Sequence, residues 1–538
     1  MLAELLIPCH QTWNLANGQS DSLHKGVNRG SLMGNARGLF FAYLALMSLT
    51  PLFAQTKAQQ TAVDRGRPCS LPGFPAQRVS EVVAASYALP PSLGADAIVR
   101  LGVKLSPYCP ALAKDLLQHA FEQADTVKGD MEYKRASGSY LSDSRLSYAA
   151  NGYSLQMDRL SLRSRATLAM VPLDAKVAIQ FFERIAPPRP AAAGCSNAFV
   201  PDVSIYYEAL EKILALLRTR KPVNDAEAQE SFVKIEEVVG ATTSPVQLMP
   251  LAAVLEKTDL TSTQLSALLG NLVAAIENFP VDDRSLSADE HWRVFAGTPI
   301  EAIAKLAALS RKHEVSPYSL VHAYRDYLDR SMRGAHCADN LPKGARPFAT
   351  ATKSLNERLT AFGPGIEPIG VPESEPPIEP GSAEGEYWLG PKTEQLLIDA
   401  KHLNFDDNWR RYTGADRKTP EWQDRVRLLL NHMDDWSPSD EQDAADYYHQ
   451  RCMLLYRTLP YLSPGALYDR VVSTWIATFE ESSLQWDNSA EWYFEVSRFL
   501  RFSKKDEKGA IPQSALATLK NSSNAYLHAS GVLAEFLQ

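Results

Sequence analysis

Apolar residues recur at intervals of three and four positions along most of the chain, the spacing that places them on one face of an α-helix. In residues 204–218 this period is sustained, and Glu208 lies four residues before Lys212, the favourable order for a helical ion pair. No segment alternates long enough to predict a strand. We expect on the order of 15 helices. The early ones are predicted over residues 76–104, 111–124, 155–171, 174–185, 204–218, 225–239 and 245–257.

Ser-Pro and Thr-Pro pairs mark the predicted helix starts. The hydroxyl accepts a hydrogen bond from the first turn, and proline takes the first helical position, where no N–H is needed. Thr298 with Glu301 matches a capping box, and Ser437 with Asp440 is a shorter version of it. The alternative is that a pair marks only a turn. The pairs are Ser106-Pro107, Ser244-Pro245, Thr298-Pro299, Ser316-Pro317, Thr419-Pro420, Ser437-Pro438 and Ser463-Pro464.

Amphipathic helices joined by short connections bury their apolar stripes by packing against one another. We therefore predict an all-α fold, either an α-solenoid-like or an irregular helical array, with a compact helical bundle as the alternative. The sequence shows no repeat of about 34 or about 40–47 residues, so this prediction rests on the helices and not on self-similarity.

A segment rich in proline and glutamate divides the chain. Residues 363–381 contain six Pro and four Glu but no Lys or Arg, a composition that favours an extended, semi-rigid spacer. We predict a helical array domain over residues 76–362, a linker over 363–385 and a tryptophan-rich helical domain over 386–538, each with its own core. The alternative is a surface loop on one continuous domain. Seven of the nine tryptophans follow the linker: Trp388, Trp409, Trp422, Trp436, Trp475, Trp486 and Trp492.

The N-terminal region has the layout of a signal peptide. An uncharged run from Leu39 to Leu49 follows Arg29 and Arg37 and precedes the small residue Ala54. The run is shorter than the roughly 20 apolar residues that span a bilayer. We therefore predict cleavage near Ala54 and an extracytoplasmic location, either periplasmic or secreted.

Cleavage there would make residues 1–54 a leader and residues 55–75 an N-terminal extension. A start at Met33 gives a signal of ordinary length, whereas a start at Met1 gives an unusually long one. Two alternatives stay open: a buried core helix, and an uncleaved membrane anchor formed by residues 39–53.

Export permits disulfide bonds. Five cysteines follow the leader, so at most two disulfides form within one molecule. Cys69 and Cys109 bracket one helical region, while Cys195 and Cys337 lie in connections rich in Pro and Gly; these are the first pairs to test. The fifth is Cys452. The sequence does not fix the connectivity.

Composition narrows the class of protein. The chain has 538 residues, 45% apolar and 22% charged, with a net charge of -8, as in a globular protein of several domains. The acidic balance gives no basic surface for nucleic acid or anionic lipid.

The common catalytic and binding motifs are absent from the sequence. It contains no HExxH, GxSxG or GxGxxG motif, and the phosphate-loop-like segment 385–393 is interrupted by Pro391. His449 lies one helical turn from Cys452 and from Asp446, but no second pair completes a metal site. We predict no catalytic, cofactor-binding or metal-binding residues.

Carboxylates beside tryptophans are the one enzyme-like feature. Two carboxyl groups in an aromatic-walled cleft would suit glycoside hydrolysis. The alternative is that these acids cap helices and the tryptophans lie in the core. The groups are Asp406 and Asp407 with Trp409, Asp434 and Asp435 with Trp436, Trp486 with Asp487, and Glu491 with Trp492.

Residues 128–152 form a long connection rich in Gly, Ser, Tyr and Arg. Such loops often carry function, here contact with an anionic or peptide partner. The alternative is a surface loop without a partner. Its candidate contact residues are Tyr133, Lys134, Arg135, Tyr140, Arg145 and Tyr148.

Five ordered segments carry a resemblance to other proteins. They are YALPPSLGADAIVRLGVK (87–104), PLDAKVAIQFFERI (172–185), FVPDVSIYYEAL (199–210), TTSPVQLMPLAAVL (242–255) and RGAHCADN (333–340). Together they resemble a group of uncharacterised exported bacterial α-helical proteins over residues 80–340. The resemblance implies an extracytoplasmic helical domain and brings no activity, cofactor or functional residue.

We therefore expect a non-catalytic extracytoplasmic helical scaffold that binds protein or peptide partners, because packed helical pairs present extended surfaces. The competing hypothesis is a secreted all-α glycan hydrolase that uses paired carboxylates of the region after the linker.

Overall fold

The computed structural model shows an all-α protein, which confirms the predicted fold class. Two short strands, β1 (His336–Cys337) and β2 (Ile378–Glu379), pair in parallel. The structure describes residues 69, 72, 75–127, 156–190, 202–219, 225–281, 298–333, 336–337, 347–362, 365–370, 378–379, 398–399, 401–406, 410–434, 444–482, 489–503 and 510–537.

Twelve of the described helices lie before the predicted linker. They are α1 (Ala76–Tyr87), α2 (Pro91–Leu105), α3 (Pro110–Ala124), α4 (Arg159–Met170), α5 (Ala175–Glu183), α6 (Ser204–Thr219), α7 (Asp225–Gly240), α8 (Leu248–Glu256), α9 (Ser262–Glu277), α10 (Pro299–Lys312), α11 (Tyr318–Met332) and α12 (Pro347–Phe362). A single 3-10 turn, Pro245–Gln247, leads into α8. The predicted segment 76–104 is two helices, because Pro90 and Pro91 interrupt it.

A second series of helices follows the linker. They are α13 (Pro420–Asp434), α14 (Ala444–Thr458), α15 (Ala466–Ser482), α16 (Ser489–Ser503), α17 (Gln513–Lys520) and α18 (Ala525–Leu537).

Helices close in sequence pack against one another. In the first series α2 contacts α3, α3 contacts α4, α4 contacts α6, α6 contacts α8, and α8 contacts α10. In the same way α7 contacts α9, α9 contacts α11, and α11 contacts α12. These successive pairings make an irregular helical array.

Hydroxyl–proline pairs begin several of these helices as predicted. The Thr298 hydroxyl accepts from the backbone N–H of Glu301 at 3.3 Å, and the Glu301 carboxylate accepts from the Thr298 N–H at 2.8 Å. This reciprocal capping box starts α10. At α13, the Thr419 hydroxyl accepts from the N–H of Trp422 at 3.4 Å.

Ser106 does not begin a helix, so that prediction is wrong. It ends α2, and its hydroxyl donates to the carbonyl of Val103 at 2.9 Å; α3 begins later, at Pro110. Proline is common just after a helix end as well as at a start, so the pair alone is ambiguous. Ser463 precedes α15 by a short turn. The pair at Ser437 lies outside the described residues.

The hydrophobic side chains form two large buried clusters, and each contains residues from both sides of the predicted linker. Val532 and Phe536 of α18 belong to the first cluster, with helices of the first series. Leu93 and Ala97 of α2 belong to the second cluster, with helices of the second series. Gly66–Gln538 forms one compact unit. The structure therefore differs from the expectation of two independent cores, because α18 packs against α1 and α2.

Part of the predicted linker lies on the helical array. Ile369 is buried in the first cluster. The side chain of Asn356 on α12 holds it, with Nδ2 donating to the Ile369 carbonyl at 3.1 Å and Oδ1 accepting from the Ile369 N–H at 3.0 Å. Residues 365–370 therefore lie against the helical array. Residues 371–377 and 380–385 lie outside the described part.

Replacing Asn356 by alanine is expected to lower the free energy of unfolding by about 1–3 kcal/mol, because the buried peptide groups of Ile369 lose both partners. Urea unfolding measures the effect. Asn278→Ala is the control, because Asn278 is exposed and donates only to a carbonyl of its own helix. Equal stability of Asn356→Ala and the wild type would show that the linker is not anchored here.

A disulfide joins Cys69 to Cys109, which confirms the first of the two cysteine pairs. Cys452 is buried as a free thiol. Cys195 lies outside the described residues, so the second pair stays a prediction. None of the described helices has the length and apolar character needed to span a bilayer. The predicted signal peptide lies in the part of the chain that the structure does not describe.

Candidate functional site

A cleft of about 820 Å³ lies between α7, the segment after it, and α9. Gly240 ends α7 on one side, and Asn271 and Ala274 of α9, with Asn278 directly after this helix, form the other side. Pro190 lines one edge. The volume falls in the range of about 300–1,000 Å³ that ligand pockets occupy.

Exposed apolar side chains flank this cleft. Val233 is 55% exposed and lies one turn before Glu236, a cleft residue, on the same helix. Val281 is 39% exposed and directly follows Pro280, which also lines the cleft. The apolar side chains of the lining itself are those of Ala274 and Ala275 of α9 and of the two prolines.

One wall of the cleft is fixed by the fully buried side chain of Gln247. Its Oε1 accepts from the N–H groups of Thr243 at 2.7 Å and Ser244 at 3.1 Å. Its Nε2 donates to the carbonyl of Pro188 at 2.9 Å and contacts the Tyr207 hydroxyl at 3.3 Å. A buried amide with several partners locks the segment before α8 in place.

A proline-rich segment of the chain itself lies along this wall. Pro187, Pro188 and Pro190 fall in a segment, residues 186–190, that is neither helix nor strand. The carbonyl of Pro188 is bound by the Gln247 side chain, and that of Pro190 accepts from the Thr243 hydroxyl at 3.2 Å. Side-chain donors thus bind alternate carbonyls, as in recognition of extended proline-rich chains.

The chemistry of the lining suits binding. Among the described residues that line the cleft, Glu236 alone carries a titratable side chain, and the other polar groups are hydroxyls and amides. General acid–base catalysis with two positioned groups needs a second titratable side chain beside Glu236, and the described lining does not contain one. No group of three or more potential metal ligands occurs among the described residues.

The described carboxylates near tryptophans are already engaged. Asp406 accepts from the N–H of Arg410 at 2.9 Å and from its Nε at 3.1 Å. Asp434, at the end of α13, lies 2.6 Å from Nη2 of Arg470. These two acids are therefore paired with arginines.

The described tryptophans lie in the second cluster. Trp422 is 2% exposed, and its Nε1 donates to the carbonyl of Leu403 at 3.0 Å. Trp475 is fully buried and stacks on Phe499 with ring centroids 4.0 Å apart. Neither ring offers a face to a sugar. The side chains outside the described part are those of Trp388, Asp407, Trp409, Asp435, Trp436, Trp486, Asp487, Glu491 and Trp492.

The remaining sequence candidates are either buried or outside the described residues. Cys452 is buried, and burial raises the pKa of its thiol well above the usual value. The side chains of Asp446 and His449 lie outside the described part. So does the loop 128–152 with its tyrosine and basic residues.

The chain matches no protein-family model, no curated protein and no solved structure. The resemblance over residues 80–340 therefore stays a prediction.

Parts of the cleft are recognisable in the sequence one by one, but the sequence does not show that they lie together. Thr243 to Gln247 are recognisable as a helix start, and Pro187 to Pro190 as a non-helical segment. Val233 interrupts the exposed face of α7. Their meeting depends on how helices distant in sequence pack, which periodicity does not specify.

Proposed function

We propose that this protein is a non-catalytic, extracytoplasmic helical scaffold that binds an extended, proline-containing peptide segment of a partner protein in the cleft between α7 and α9. The observation that carries the proposal is the chain's own proline-rich segment, whose alternate carbonyls are bound by Gln247 and Thr243 at the cleft wall.

Other lining residues of the cleft also offer polar groups and apolar contacts that suit a proline-containing peptide. The side chains of Asn271 and Asn278 are exposed amides that can bind a backbone without N–H groups at its prolines. Ala274 and Pro280 offer apolar contact. Glu236 favours a basic residue in the peptide, because it is the one charged group of the described lining.

Selection of short random peptides displayed on phage, with the full-length protein as bait, tests this function. Enriched sequences are expected to contain proline with a neighbouring Lys or Arg. Ala274→Trp, which fills the cleft from an exposed position of α9, is expected to weaken binding of an enriched peptide at least about tenfold.

The matched control is Ala308→Trp, which places the same side chain on an exposed position of α10 away from the cleft lining. It is expected to leave peptide affinity unchanged. The proposal fails if no proline-containing peptide is enriched, or if Ala274→Trp binds the enriched peptides as well as Ala308→Trp does.

A further inference from the structure

Three arginines converge on one carboxylate where α3, α4 and α5 meet. Asp125 ends α3, and its Oδ1 lies 2.7 Å from Nη2 of Arg159 and 2.9 Å from Nη1 of Arg163. Its Oδ2 lies 3.8 Å from Nη2 of Arg184, which directly follows α5. This arginine cluster, residues 159, 163 and 184, is separate from the cleft.

Among the described residues, Asp125 is the one carboxylate paired with these three guanidinium groups, and it does not balance their charge. Among its charged neighbours, Asp125 attracts the Arg163 guanidinium, and Arg159 and Arg184 repel it. Burial, more than this repulsion, lowers the pKa of the Arg163 guanidinium. The nearby acid Asp158 is engaged elsewhere: its carboxylate accepts from the N–H and the hydroxyl of Ser161.

The cluster keeps unused donors. Arg163 is buried, and its Nε–H has no acceptor among the described residues. Arg184 is too far from Asp125 for a hydrogen bond, since 3.8 Å exceeds the usual limit. The side chains of Arg159 and Arg184 are 55% and 49% exposed, so the cluster is accessible from solvent.

The ring of Phe121 fixes two of the guanidinium groups. The Cζ atoms of Arg163 and Arg184 lie 4.2 Å and 4.9 Å from its centroid. The ring itself is buried and stacks on Phe181 with a centroid distance of 4.3 Å. Two cations held over one rigid ring are ordered before a ligand arrives, which favours binding.

We propose that Arg159, Arg163 and Arg184 form a binding site for a phosphate-type dianion, either free phosphate or a phosphomonoester. A phosphate group carries about -1.5 to -2 charges at neutral pH, which matches the excess of two positive charges over Asp125. Guanidinium forks bind its oxygens in paired hydrogen bonds. A single carboxylate ligand would leave one positive charge unbalanced.

Titration calorimetry of the full-length protein with inorganic phosphate, glycerol phosphate and acetate tests the site. Saturable binding of at least one phosphate compound is expected, with acetate at least about tenfold weaker. Tighter binding of inorganic phosphate identifies free phosphate as the source, and tighter binding of glycerol phosphate identifies an organic phosphomonoester.

Arg184→Gln and Arg159→Gln are each expected to weaken phosphate binding about tenfold, because each removes a charge-assisted contact from a largely exposed side chain. Arg78→Gln is the matched control, since Arg78 is an exposed helical arginine paired with Glu81. Circular dichroism establishes that the variants are folded. The proposal is overturned if neither phosphate compound saturates the protein, if acetate binds as tightly, or if both cluster variants bind like Arg78→Gln.

Discussion

Replacing Asp96 by asparagine is expected to lower the free energy of unfolding by about 3 kcal/mol at neutral pH. Asp96 is 3% exposed on α2, with Oδ2 3.0 Å from Nε of Arg100 and Oδ1 2.7 Å from Nη1 of Arg165. Asparagine keeps the shape but removes the charge, which leaves the mostly buried Arg165 without its ionic partner. We expect a value at the lower end of the usual range because Arg100 is 40% exposed.

The effect should depend on pH in one direction. Burial raises the pKa of the Asp96 carboxyl, but Arg100 and Arg165 lower it by more, so the pKa in the folded state lies below the usual value. The unfolded chain therefore binds the proton more tightly, and acid favours unfolding. The stabilisation is complete above about pH 4 and is lost as pH falls through the folded-state pKa.

Urea unfolding of wild type and Asp96→Asn at a series of pH values measures both effects. The difference between them should be largest near neutral pH and should shrink in acid below about pH 4. Asp424→Asn is the control, since Asp424 is 71% exposed in its ion pair with Arg427 and should change stability little. A pH-independent difference would contradict an ionised Asp96.

The position of Asp96 explains why the loss should affect the whole unit. Arg165 lies on α4, and Tyr526 lies on α18, where burial and then Asp96 raise the pKa of its hydroxyl. Leu93 and Ala97 of the same helix contact the second cluster, while Ile98 belongs to the first. The ionic contact thus lies where the two clusters meet.

The sequence predicts those features of the fold that depend on residues close together in the chain. The capping box at Thr298 and the helix over 204–218 follow from short-range rules, and both are confirmed. The start at Ser106 is wrong because a proline pair looks the same at either end of a helix. A Ser-Pro pair alone does not show whether a helix begins or ends there, because that depends on which neighbouring residues are packed in the core.

Contacts between residues distant in the chain are not predicted, because periodicity does not specify which helices pack together. Periodicity identifies the apolar face of α18 but not its neighbour, so its packing on α1 was not predicted. The proline- and glutamate-rich composition of the linker does not indicate that Ile369 is buried in the first cluster. In the arginine cluster, Arg159 and Arg163 share a face by their spacing, whereas Asp125 and Arg184 join them only through tertiary packing.

Removing the Cys69–Cys109 disulfide is expected to lower the free energy of unfolding by about 2–4 kcal/mol. The bond closes a loop with a sequence separation of 40, which restricts the unfolded chain. It also joins the segment before α1 to the start of α3, where Cys109 is the N-cap residue. Urea unfolding of the oxidised wild type and the Cys69→Ser/Cys109→Ser double variant measures the loss.

The single variant Cys69→Ser should lose nearly as much as the double variant, because the crosslink needs both sulfurs. Peptide mapping without reductant should recover Cys69 and Cys109 in one linked pair from protein that passed through an oxidising compartment. Because reducing compartments keep thiols reduced, protein made there should unfold like the double variant until it is oxidised. Equal unfolding free energies of oxidised wild type and double variant would show that this crosslink does not constrain the unfolded chain.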